Sequence, residues 1–124
     1  MNGYHWAQFM VGNCYHFGNG TDQDHDKTFE FYTKSAEQGN SIAMSNLGIC
    51  YNNGEGCDEN YTKAFELYEK SAKMGYSLAM YNVGDCYENG EGVTKDLNRA
   101  KEWYIKAAAQ GHMNAQAQLD RLNQ

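Results

Sequence analysis

Ala43-Met44-Ser45-Asn46-Leu47-Gly48-Ile49-Cys50-Tyr51-Asn52-Asn53-Gly54-Glu55-Gly56 is the stretch on which the fold turns. Ala43, Leu47, Gly48 and Tyr51 stand at i, i+4, i+5 and i+8, one face of an α-helix. Asn52 to Gly56 then supplies turn chemistry that no helix sustains. Helical spacing resumes from about Tyr61 to Met74, with Ala64, Leu67, Tyr68, Ser71 and Ala72 on one face. Asn60 is placed to cap this second helix, and Gly75 to end it in a left-handed conformation. The stretch and its sequel predict a helix–turn–helix hairpin.

The same hairpin is written at a fixed step of 36 residues. Ala7, Ala43, Ala79 and Ala115 are one position; Gly12, Gly48 and Gly84 another. So are Tyr15, Tyr51 and Tyr87; Gly20, Gly56 and Gly92; Tyr32, Tyr68 and Tyr104; Ala36, Ala72 and Ala108; and Gly39, Gly75 and Gly111. Asp24 and Asp96 repeat the cap of Asn60. A period of this length marks stacked repeats, none of which buries its apolar face alone. The expectation is an all-α solenoid of three 36-residue repeats, about 7–42, 43–78 and 79–114, closed by a capping helix over 115–122. Residues 1–124 form one domain. A mid-helix glycine costs on the order of 1 kcal/mol relative to alanine. Three copies of it predict a close helix–helix approach, with Ala36, Ala72 and Ala108 as the matching small contacts. Glu30–Lys34, Glu66–Lys70 and Glu102–Lys106 are expected to pair on the outer face.

Composition narrows the function classes. A hydrophobic fraction of 41% with ten tyrosines suits a folded chain, and proline is absent. The net charge of −6 argues against a nucleic-acid partner, which needs clustered Lys and Arg. No apolar run approaches the roughly 20 residues of a membrane span. Met1-Asn2-Gly3-Tyr4-His5-Trp6 lacks the basic start and apolar stretch of a secretory signal, which favours a cytoplasmic setting.

The pattern Ala-x-x-x-Leu-Gly-x-Cys-Tyr-x-x-Gly-x-Gly, followed by Lys-Ala-x-x-x-Tyr-x-Lys-Ser/Ala-Ala-x-x-Gly, resembles the Sel1-like (SLR) repeat family, relatives of the tetratricopeptide repeats. The resemblance covers nearly the whole chain, with residues 79–111 close to the family pattern and the first copy departing most. It implies a right-handed superhelix of antiparallel helix pairs and duty as an adaptor or scaffold. It also looks like arrays that accompany protein kinases in some fungi, so a structural spacer of a larger kinase or adaptor is an alternative. A second alternative is enzymatic, since some bacterial relatives have been described as penicillin-binding. Gly3, in phase with Gly39, reads as the end of a helix from a further repeat upstream.

Catalytic and metal chemistry find little support in the residue pattern. Cys14, Cys50 and Cys86 share one repeat position, and Cys57 is extra. One repeat separates them by about 10 Å, beyond the roughly 7 Å limit for a bridge between Cα atoms, so free thiols are expected. The disulfide-linked relatives carry two cysteines per repeat, whereas this chain has none at Ser35-Ala36 or Ala43. Asp22-Gln23-Asp24-His25-Asp26 opens like a calcium loop, but Lys27 replaces the sharp-turn glycine and Thr33 the closing glutamate. No metal, cofactor or catalytic residue is expected. His5, His16, His25 and His112 fall on different repeat positions, and no Walker Lys-Ser/Thr follows the glycine turns.

What remains is a surface for another protein. In tetratricopeptide-like stacks the first helices line the concave side. Residues off their packing face are Phe9, Asn13 and His16; Ser45, Ile49 and Asn52; and Tyr81, Asp85 and Glu88. With an aromatic N-terminal end and an acidic C-terminal end, this groove suits a peptide with an apolar anchor and basic flanks.

Overall fold

The repeated start and stop signals produce seven α-helices in the computed structural model, which describes residues 4–124. They are α1 Tyr4–Phe17, α2 His25–Glu37, α3 Ser41–Asn53, α4 Tyr61–Lys73, α5 Ser77–Asn89, α6 Leu97–Ala109 and α7 Met113–Leu122. Gly3 lies outside the described residues. The helices pair as α1/α2, α3/α4 and α5/α6 in a right-handed α/α superhelix, with α7 over the third pair. The final helix starts two residues before the expected one because His112 caps it, its Nδ1 accepting from Ala115 N at 3.2 Å. Asp24, Asn60 and Asp96 cap α2, α4 and α6, each side chain accepting from the backbone N–H three residues on at 3.0–3.1 Å. Gly39, Gly75 and Gly111 follow the same three helices with φ of 93°, 101° and 87°.

Each hairpin closes on one contact. A Cβ added to Gly12, Gly48 or Gly84 would meet the ring of Tyr32, Tyr68 or Tyr104 at 2.6–2.7 Å. The nearest partner of the glycine is thus the tyrosine ring of the second helix, ahead of the expected alanine. The three rings are at most 5% exposed. Burying one stabilises by on the order of 2–3 kcal/mol, which outweighs the helix cost of the glycine.

A second set of contacts fixes one hairpin on the next. Phe29 meets Tyr51, and Phe65 meets Tyr87, edge to face at 5.4 Å in both cases. Gly56 brings the turn after α3 onto the start of α2, where a Cβ would run into the His25 carbonyl; Gly92 repeats this against Tyr61. A Cβ on the equivalent Gly20 would meet nothing within 4 Å among the described residues. Val11 in α1 is 38% exposed, whereas its equivalents Leu47 and Val83 are 5% and 0% exposed beneath the preceding hairpin.

The outer face differs from expectation. Glu30–Lys34 closes at 3.2 Å, but Lys106 lies 4.3 Å over the Trp103 ring, and Lys73 pairs with Glu69 at 3.7 Å. Exposed ion pairs and cation–π contacts are each worth under about 1 kcal/mol, so the neighbouring ring decides the rotamer. No described helix is long and apolar enough to cross a membrane.

Candidate functional site

The nine first-helix positions separate into three structural groups. In the first repeat, Phe9 is buried, stacked on Tyr32 with ring centroids 5.9 Å apart. Asn13 is half-buried and accepts from the Tyr32 hydroxyl at 2.6 Å. His16 ends the helix, edge-on to Phe17. In the second repeat, Ser45 is 0% exposed and accepts from Asn82 Nδ2 at 3.4 Å. It has no surface to offer a partner, which corrects the sequence expectation: the position faces the third repeat. Ile49 and Asn52 are half-buried, and Asn52 donates to Asn53.

The third repeat carries the most connected group. The single O–H of Tyr104 is shared between Asp85 Oδ1 at 2.6 Å and Glu88 Oε1 at 2.8 Å. Arg121 of α7 pairs with Glu88. Tyr81 packs on Tyr104 at 5.6 Å and stacks on His112 at 4.8 Å. The expected acidic end of the groove is therefore largely internal: both carboxylates accept from one hydroxyl, and the capping helix neutralises one of them. Burial pushes the Asp85 carboxyl above its ordinary value, with the Tyr104 hydrogen bond opposing. Burial first, and then both carboxylates, hold the Tyr104 hydroxyl far above the usual phenol range.

His16 and Ile49 share a cavity of about 120 Å³ with Tyr32, Asn46, Cys50 and Glu55. A larger hollow of about 470 Å³ lies on the other side, lined by Leu47, Tyr51, Leu67, Lys63, Lys70 and Lys73 among others. Its origin is one substitution in the repeat. Leu67 occupies the position of Phe31 and Trp103, so the middle repeat lacks the ring that fills this place in its neighbours.

All four cysteines are free. Burial pushes the thiols of Cys50 and Cys86 up to about 12, which leaves them unreactive at neutral pH. Cys57 is half-buried, its thiol 3.6 Å from the Cys50 carbonyl.

Comparison with known proteins agrees with this architecture. The Sel1 repeat model matches residues 7–40, 41–76 and 77–112. A Sel1 repeat protein from Oxalobacter formigenes is 39% identical with a TM-score of 0.85, over 94% of this chain and 88% of that one. A protective antigen of uropathogenic Escherichia coli strains, displaying an SLR fold, is 35% identical with a TM-score of 0.92 over 94% of this chain. The present chain spans only 25% of that antigen's length. Cysteine-rich protein B of Helicobacter pylori, at 22% identity and a TM-score of 0.77 over 92% of this chain and 88% of that one, shares the fold. No relative matches among curated proteins. Three matched repeats, tyrosine on glycine in each hairpin, and these neighbours place the chain in the Sel1 repeat family.

Proposed function

We propose that this chain is a non-enzymatic scaffold that holds a segment of another protein along the face formed by α1, α3 and α5. Sel1 repeats are in general non-catalytic protein-interaction modules. One observation carries the finer reading. The repeated residues that close each hairpin, Gly12, Gly48, Gly84 and Tyr32, Tyr68, Tyr104, are buried in every copy, whereas the half-buried first-helix positions change chemistry from copy to copy: Asn13, Ile49, Asp85 and His16, Asn52, Glu88. A repeated frame presenting unrepeated side chains is how a stack reads an extended partner. Ile49 and Tyr81 are the apolar anchors, and the net charge of −6 favours basic flanks on the partner. Four free thiols, two of them buried, suit a reducing cytoplasm.

The outer hollow supports a second reading, because Leu47, Tyr51 and Leu67 line it with a mixed-charge set of Lys63, Lys70, Lys73, Glu66 and Glu69. A partner captured by cross-linking decides between the two. Ile49→Ala and Tyr81→Ala should each weaken binding tenfold or more, while Leu67→Phe, which fills the hollow, leaves it unchanged. The reverse pattern moves the site to the outer face. Covalent trapping of a labelled penicillin by the native chain would overturn the non-enzymatic reading altogether.

A further inference from the structure

Three side chains from two repeats converge where the first hairpin meets the second. They are His16 at the end of α1, His25 at the start of α2, and Glu55 in the turn after α3. One ligand atom from each lies within 4.8 Å of the other two. His25 Nδ1 is 3.4 Å from Glu55 Oε2. His16 Nδ1 is shut off from solvent and has no hydrogen-bond partner. A buried imidazole nitrogen without a partner is costly, and an incoming cation would satisfy it.

The backbone holds these three groups in place independently of one another. Gly56 seats the Glu55 turn against the His25 carbonyl. Gln23 Nε2 donates to the His16 carbonyl at 2.8 Å, tying the loop to the end of α1. Asp24 is already engaged as the cap of α2, so the aspartates of the calcium-like segment are not what gathers here.

The next junction supplies an internal control. There the equivalent residues are Asn52, Tyr61 and Glu91, in the same stacking geometry but with both imidazoles gone. Stacking of the repeats therefore does not require the two histidines.

We propose that His16, His25 and Glu55 bind a divalent transition-metal ion of the zinc type, which staples the first repeat to the second. Two imidazoles and one carboxylate form a His₂Glu donor set with a fourth position open to water, and oxygen-seeking Ca²⁺ is ill served by it. Tetrahedral zinc at the usual bond lengths wants its ligands about 3.3 Å apart. The exposed His25 and half-buried Glu55 close that gap by rotating.

The test uses untagged, reduced protein stripped with a chelator and titrated with Zn²⁺. Calorimetry should show saturable binding of one ion per chain, and the melting temperature should rise with it. His16→Asn and His25→Tyr copy the next junction and so keep the fold, which circular dichroism verifies; Glu55→Gln removes the charge alone. Each should weaken Zn²⁺ at least tenfold and remove the thermal shift. Co²⁺ should give a tetrahedral spectrum without a sulfur charge-transfer band. Absence of binding, equal affinity in all three variants, or a sulfur band tracing the ion to the cysteines would each overturn the proposal.

Discussion

At the residue scale, the Tyr104 hydroxyl and its two carboxylates decide how the third repeat responds to pH. Burial raises the Asp85 carboxyl above its ordinary value, against the Tyr104 hydrogen bond. A raised carboxylate weighs against the folded state at neutral pH, and the penalty disappears below about 3.8, where both states are protonated. Asp85→Asn keeps an acceptor for Tyr104, as Asn13 does for Tyr32, and removes the charge. Its stability should exceed the parent's at pH 7 and match it at pH 3, read from urea midpoints. A loss at pH 7 would show that Arg121 more than offsets the burial. Gly48 gives a second test at this scale. Gly48→Ala gains on the order of 1 kcal/mol of helix propensity, but its Cβ would stand 2.6 Å from the Tyr68 ring and 3.3 Å from the Ala64 carbonyl. With Tyr68 only 5% exposed, overpacking should win by roughly 1–3 kcal/mol and lower the melting temperature.

At the scale of the helix, α4 is the incompletely packed member of its class. Tyr15 stacks on Phe31 at 6.0 Å in the first repeat, and Lys34 lies 5.0 Å over the same ring. Leu67 offers Tyr51 and Lys70 no such ring. Leu67→Phe should restore both contacts and raise stability by about 0.5–1.5 kcal/mol, visible as a higher denaturant midpoint with an unchanged slope. An unchanged or lower midpoint would mean that the hollow is smaller than a phenyl group once the side chains relax. Helices of this kind were legible in the sequence because the residues that make them recur: caps at Asp24, Asn60 and Asp96, tyrosines on glycines, glycines after the second helices. Side chains that occur once left no such trace. His16, His25 and Glu55 fall on unrelated repeat positions, and only the seating of one turn on the preceding helix brings them together. The Arg121–Glu88 pair was hidden for the same reason, since α7 has no second-helix partner to reveal its register.

For the whole molecule, stability is a sum of hairpins and the junctions between them. Gly56 carries the first junction in a backbone conformation of φ 76°, and any Cβ there meets the His25 carbonyl. Gly56→Val should uncouple the first repeat from the other two. Trp6 in α1 and Trp103 in α6 report the two ends separately, once each is studied with the other replaced by Phe. In the parent both should melt together; in Gly56→Val the Trp6 transition should come first, by several degrees. Coincident transitions in the variant would mean that Phe29 on Tyr51 suffices to couple the hairpins. The same contact has a consequence for chain length. His25 and Gly56 stand as far apart in sequence as Tyr61 and Gly92, so each glycine gauges the length of what lies between. A residue inserted anywhere inside that span carries the turn off the helix start it rests on. One inserted at Cys57-Asp58-Glu59 lies beyond the gauge and strains only the loop that the Asn60 N–H closes on the Tyr51 carbonyl at 2.8 Å. Any lengthening that the middle repeat tolerates is confined to those three residues.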